Sequence, residues 1–218
     1  MTVVTLFTAA LAPAISLLVY FYLRNQYGSN MIGQVIKAFI IGVLLVFPVM
    51  VIQYALEGEA LITEPWFKAF VSAAFLEEFF QWFLLYFIAY RFGTLKNRYD
   101  GIVYAVSLSL GFAAAENVLY LMATGIDFAV GRAFLPVSSH ALFGVVMGYY
   151  LGSARFKVND HVKKWLFLAL IIPVVLHGFF DLILLTINQY LFTSIAPFMI
   201  FLWWFALTKV KKANERTE

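Results

Sequence analysis

Apolar residues fill this chain in long runs, and short polar segments separate them. Runs of this length read as helices that cross a bilayer, which takes about 17–25 residues each. Seven are predicted, at 3–23, 35–56, 66–90, 101–123, 133–152, 165–190 and 192–208. They take up nearly all of the 218 residues. The expected architecture is therefore all-α: a polytopic membrane helical bundle of about seven transmembrane helices, one integral-membrane domain over 1–218 with no soluble domain. Helices are the element that fits, because every backbone polar group in lipid must be paired internally.

Composition agrees. Hydrophobic residues make up 63% of the chain and charged residues only 12%, against about 25% charged in soluble domains. The first residues, "MTVVTLFTAALAPA", lack a basic leader, so the first run is expected to stay as an anchor. Cysteine is absent, which excludes a thiolate nucleophile and a disulfide framework.

The net charge of +3 does not point to nucleic acid, because of where the charges sit. Thirteen of the fifteen Lys and Arg flank alternate connections: Arg24 and Lys37; Arg91, Lys96 and Arg98; Arg155, Lys157, Lys163 and Lys164; and Lys209, Lys211, Lys212 and Arg216. Lys68 and Arg132 lie by the other connections, with Glu57, Glu59, Glu64 and Asp127. The positive-inside rule then predicts an N-terminus outside the cell and a cytoplasmic C-terminus. The expected partner of the basic loops is the lipid bilayer.

Against this background, "FLEEFFQWF" places Glu77 and Glu78 side by side inside a run that otherwise repels charge. The ionisable residues well inside the spans are Glu77, Glu78, Glu116, His140, His177 and Asp181. All are acids or imidazoles, and they come from four separate helices. Such groups are costly in a bilayer and are functional candidates by default. Counting residues from the span ends, at about 1.5 Å each, puts all six in one layer from the midplane to the outer half. His177 and Asp181, at i and i+4, share a helix face. Glu77 and Glu78 stand about 100° apart, so one is expected to meet a cavity and the other to make a supporting hydrogen bond. Gly144, Gly148 and Gly152 continue the line of His140 along one face and invite close helix packing.

Several chemistries use such residues. A glutamate can activate water while imidazoles stabilise an oxyanion. Three or four of the groups can bind zinc, although no H-E-x-x-H motif is present. Buried acids and imidazoles also make ion or proton relays in transporters. Ser107, Ser138 and Ser139 lack a G-x-S-x-G setting.

In chain order, "FLEEFFQWF", "GFAAAENVLY", "LPVSSHALFGVVMGYYLG" and "VVLHGFFDLIL" resemble the motifs of the PrsW family of intramembrane proteases, part of the CAAX-protease-like superfamily of glutamic-type membrane endopeptidases. The likeness extends to "YDGIVYA" and "PFMIFLWWF". It implies a multi-pass protein of the bacterial cell membrane that makes the first, extracytoplasmic cut in a single-pass anti-sigma factor during a stress response, with no metal or other cofactor. By this likeness Glu77, Glu78, His140, His177 and Asp181 are catalytic. A first-motif glutamate and a histidine would activate water, and His177 with Asp181 would form the oxyanion site. Glu116, Asn117, Phe112 and Gln81 would support them. Gln81 departs from the family's E-E-x-x-K pattern and brings no charge to the glutamates. The outer loop around Glu57–Glu64 is expected to help admit the substrate.

Overall fold

The computed structural model describes residues 3–28, 31–58, 64–93, 95–128, 131, 133–156, 161–187 and 191–215. Most of the outer loop around Glu57–Glu64 lies outside these residues, as do Arg132, Lys157 and Arg216.

Seven helices carry the fold. They are α1 (Val3–Leu23), α2 (Ile32–Gly58), α3 (Pro65–Arg91), α4 (Arg98–Thr124), α5 (Ser138–Phe156), α6 (Val162–Thr186) and α7 (Leu191–Asn214). Each matches one expected run. α6 stops earlier than expected, at Thr186, and α7 runs on to Asn214. The last turns of α7 carry Lys209, Lys211 and Lys212, so the helix outlasts its apolar stretch. Pro13, Pro48, Pro173 and Pro197 all lie inside helices.

Among the described residues, six helices are long and apolar enough to cross a membrane, and α5 falls short of that measure. The reason is its place in the bundle. Every residue from Ser138 to Ala154 is buried, so α5 faces protein and not lipid. α4 is similarly enclosed from Tyr99 to Ala114.

These two inner helices pack backbone to backbone. A Cβ at Gly148 would overlap the Gly101 carbonyl oxygen, and one at Gly152 would overlap that of Arg98. Gly144 faces Ala105, Val106 and Ser109. At the far end of this seam, Ser109 Oγ donates to the His140 carbonyl at 2.8 Å. Small residues let the helices approach this closely. The glycine line therefore sets the height and rotation of His140 against α4.

The opposite end of α4 is fixed by polar caps. The Asn97 side chain accepts from Asp100 N–H at 2.9 Å, and Asp100 accepts in return from the N–H groups of Asn97 and Lys96. This reciprocal arrangement satisfies N–H groups that a helix start leaves unpaired. Asn25 Nδ2 reaches Asp100 at 3.3 Å, and Tyr99 donates to the Phe21 carbonyl at 2.9 Å. The end of α1 is thereby tied to the start of α4.

Gly148→Val should force α4 and α5 apart, because the obstacles are backbone atoms. The expected loss is about 1–3 kcal/mol or more, seen as a lower unfolding temperature in detergent. Val145→Ala, also in α5, should unfold at a temperature closer to that of the parent chain.

Candidate active site

α3 is not a uniform α-helix. Residues Lys68–Phe75 and Tyr86–Arg91 form wider, π-helical turns around the α-helical segment Leu76–Leu85. Such turns are rare and recur at functional sites. Glu77 and Glu78 stand just after the first of them. Both are buried, Glu78 completely.

The two carboxyl groups separate as their 100° offset requires. Glu78 Oε1 accepts from His177 Nδ1 at 2.9 Å, across the α3–α6 contact. Glu77 Oε1 instead accepts from Gln53 Nε2 of α2 at 2.9 Å, and its Oε2 lies 3.9 Å from His177 Nε2. Gln53 Nε2 also donates to the Ser72 carbonyl, in the π-helical segment, at 3.2 Å. His177 Nε2 is 3.4 Å from Asp181 Oδ2, one turn further along α6. The imidazole therefore has one carboxylate on Nδ1 and two beside Nε2.

His140 approaches from α5. Its ring centroid is 5.1 Å from that of His177, nearly perpendicular to it. Its Nε2 lies 3.3 Å from Glu116 Oε2. Phe112 packs a tilted ring against His140 at 5.8 Å, and Phe143 stacks on His177 at 4.8 Å. On α6, Gly178 makes room for Phe70 of α3, whose ring atoms a Cβ there would overlap. Aromatic walls and a glycine thus hold the two imidazoles against the glutamates.

Seven of the nine residues singled out from the sequence meet here: Glu77, Glu78, Phe112, Glu116, His140, His177 and Asp181. Asn117 points elsewhere. It donates to the Ala10 carbonyl at 3.0 Å, clamping α4 to α1, because it sits about 100° around the helix from Glu116. Gln81 is buried, but its Nε2 has no hydrogen-bond partner, so it does not bridge to either glutamate. Gln53 and Phe143 were not singled out. Gln53 carries no charge, yet an amide in an otherwise apolar run was a signal. Phe143 had only its i+3 spacing from His140.

A lipid-spanning helical bundle with an enclosed glutamate–histidine–aspartate cluster defines a polytopic membrane protein with the makings of a hydrolytic centre. Residues 31–208 match the sequence model of a family described as PrsW family intramembrane metalloprotease. The chain belongs to this family, and it is a multi-pass bacterial membrane protease. It is 54% identical over 211 residues to Protease PrsW of Halalkalibacterium halodurans, covering 97% of this chain and 98% of that one. Identity to Protease PrsW of Bacillus subtilis is 49% over 207 residues, covering 95% and 94% of the two chains. For Protease PrsW of Clostridioides difficile it is 29% over 218 residues, covering 95% and 90%. No solved structure matches the chain significantly.

The family description implies a metal, and the residues fit one. Glu77, His140 and His177 each offer a ligand atom, all within 4.8 Å of one another. Three protein ligands with an open position form the usual catalytic zinc set. Glu78 on His177 Nδ1 supplies the outer carboxylate that orients a ligating imidazole. His140 Nδ1 is buried with no hydrogen-bond partner.

His177→Ala strands the enclosed Glu78 carboxyl. It should cost about 3–5 kcal/mol, the usual penalty for breaking a buried pair. Asn117→Ala should cost about 1–2 kcal/mol. Chemical or thermal unfolding in detergent ranks the two, and equal losses would contradict the assignment.

Proposed function

We propose that this chain hydrolyses a peptide bond in a single-pass membrane protein, on the extracytoplasmic side, with water activated at Glu77. The observation that carries this reading is the meeting of Glu77, His140 and His177 within 4.8 Å, from three different helices. By the family likeness the substrate is an anti-sigma factor, cut in the first step of regulated intramembrane proteolysis in a stress response. The charge pattern supports an outside N-terminus and a cytoplasmic C-terminus. With that orientation, the cluster lies in a layer from the midplane to the outer half of the bilayer.

Glu77 has a carboxylate oxygen within 4.8 Å of both imidazoles, and in this scheme it takes the proton from water as the oxygen attacks the scissile carbonyl. An N–H of His140, or one on His177 Nε2, then donates to the charge that develops on the carbonyl oxygen. Collapse of the tetrahedral species breaks the C–N bond, and the proton held by Glu77 passes to the leaving amine. Glu78 touches no substrate in this scheme. It is a positioning residue that fixes the His177 ring. Asp181 limits the rotation of the same ring from its other side.

A second reading has an observation of its own. Four carboxyl groups and two imidazoles share this layer, and no Lys or Arg lies within the inner part of the spans. Only protons or a cation can balance such a set in a low dielectric. A divalent ion held by Glu77, His140 and His177 would polarise the scissile carbonyl and acidify water.

The test is cleavage of a single-pass anti-sigma factor in reconstituted membranes, with fragments mapped by mass. Glu77→Gln should lower turnover by about 100–10,000-fold. Glu78→Gln keeps an acceptor for Nδ1 and should lose only about 10–100-fold. Undiminished cleavage by Glu77→Gln would sink the assignment. Metal analysis of the purified protein separates the two readings. One equivalent of zinc-class metal, lost in the His140→Ala and Glu77→Ala forms, selects the metal. A metal-free protein that cleaves in chelator selects the glutamate alone.

A further inference from the structure

α2 and α4 touch at one level and part at another. A Cβ at Gly42 would overlap the Leu108 carbonyl oxygen, and one at Gly111 would overlap that of Phe39. The two backbones are in contact there. About two to three turns further along α2, roughly 12–17 Å at 1.5 Å per residue, they are separated by a cavity. It is lined by Met50 and Gln53 of α2 and by Glu116, Leu119 and Tyr120 of α4, with a volume of about 320 Å³. Met50 and Tyr120 are 43% and 37% exposed, so the cavity opens at the side of the bundle. Pro48 interrupts the hydrogen-bond ladder of α2 between the contact and the cavity.

Its polar lips lead directly to the site. Gln53 holds Glu77 at 2.9 Å, and Glu116 lies 3.3 Å from His140. We propose that this α2–α4 cleft is the lateral entrance by which the substrate segment reaches Glu77, with Met50, Leu119 and Tyr120 forming the subsite for an apolar side chain beside the scissile bond. This rests on the protease reading above and adds the route and the subsite.

The occupant is an unwound stretch of a membrane-spanning peptide. A helical segment hides its carbonyls in its own hydrogen bonds, so the scissile carbonyl is reachable only where the helix opens. The freed N–H groups then need acceptors in a dry environment. Gln53 Oε1 and Glu116 Oε1 take no part in the bonds just described and stand at the two lips. Apolar walls between polar lips suit an extended main chain carrying a large apolar side chain. The contacts of Gly42 with Leu108 and of Gly111 with Phe39 close the cleft at its other end.

Because the chain has no cysteine, single cysteines report cleanly. Met50→Cys and Leu119→Cys would be treated with a bulky methanethiosulfonate in reconstituted membranes. Ile200→Cys, on α7 and 71% exposed, serves as control. Labelling at 50 or 119 should lower substrate cleavage roughly tenfold or more by filling the subsite, and a reductant should restore it. Labelling at 200 should change nothing. In parallel, a benzophenone amino acid at position 120 in the Glu77→Gln background should crosslink the anti-sigma-factor segment, and one at 200 should not. Unchanged turnover after labelling at 50 and 119, or crosslinks from 200 and not 120, would overturn the entrance. If the unlabelled parent chain cuts nothing, the protease reading fails instead, and the crosslinks still decide where the segment docks.

Discussion

A carboxyl group that never meets water has to find its partner inside the protein, and Glu78 finds His177. The bond between Glu78 Oε1 and His177 Nδ1, at 2.9 Å, joins α3 to α6 at the centre of the bundle. An enclosed polar group is tolerated only when its partner is held in place. The neighbouring contacts do this. Trp82 Nε1 donates to the Leu166 carbonyl at 3.1 Å further along the same helix pair, and Gly178 lets Phe70 close over the other side. With the ring fixed at Nδ1, Nε2 is turned toward Glu77 and Asp181. Once that orientation is set, His140 needs only to arrive at the right height.

Its height comes from a different kind of contact. α4 and α5 meet through glycines, so their separation is set by backbone atoms and not by adjustable side chains. The result is an enclosed pair of helices joined through small residues, apolar for most of its length, that carries its few polar groups inward to the site. What differs from a soluble protein is the outer surface, where large apolar side chains such as Val51, Ile200 and Trp204 are exposed. It follows from the solvent: lipid rewards apolar surface outside and leaves packing and hydrogen bonds to hold the interior. The same logic explains why α5, buried from Ser138 to Ala154, is less apolar than the helices around it.

The helices and most of the cluster were legible in the sequence because both signals are strong. Apolar run length marks a span, and an acid or imidazole inside a span is conspicuous. The glycine line at 144, 148 and 152 correctly pointed to a tight partner for the His140 face. What escaped was whatever lacked charge or depended on rotation. Gln53 carries no charge to mark it in the sequence, yet it holds Glu77. Asn117 was grouped with Glu116 by adjacency, and one step around the helix took it to α1. Gln81 sits at the right spacing to meet the glutamates, but its amide nitrogen bonds to neither. The π-helical turns of α3 left no pattern in residue type, because they depend on how the whole helix packs.

The claim on which everything rests is that this buried cluster adds water across a peptide bond. The most direct measurement is cleavage of a reconstituted single-pass substrate in heavy-oxygen water, followed by mass analysis of the fragments. The account predicts one heavy oxygen in the new C-terminal carboxyl group of the fragment, and no such fragment with His177→Ala. Fragments that form without the label, or that persist with His177→Ala, would contradict it.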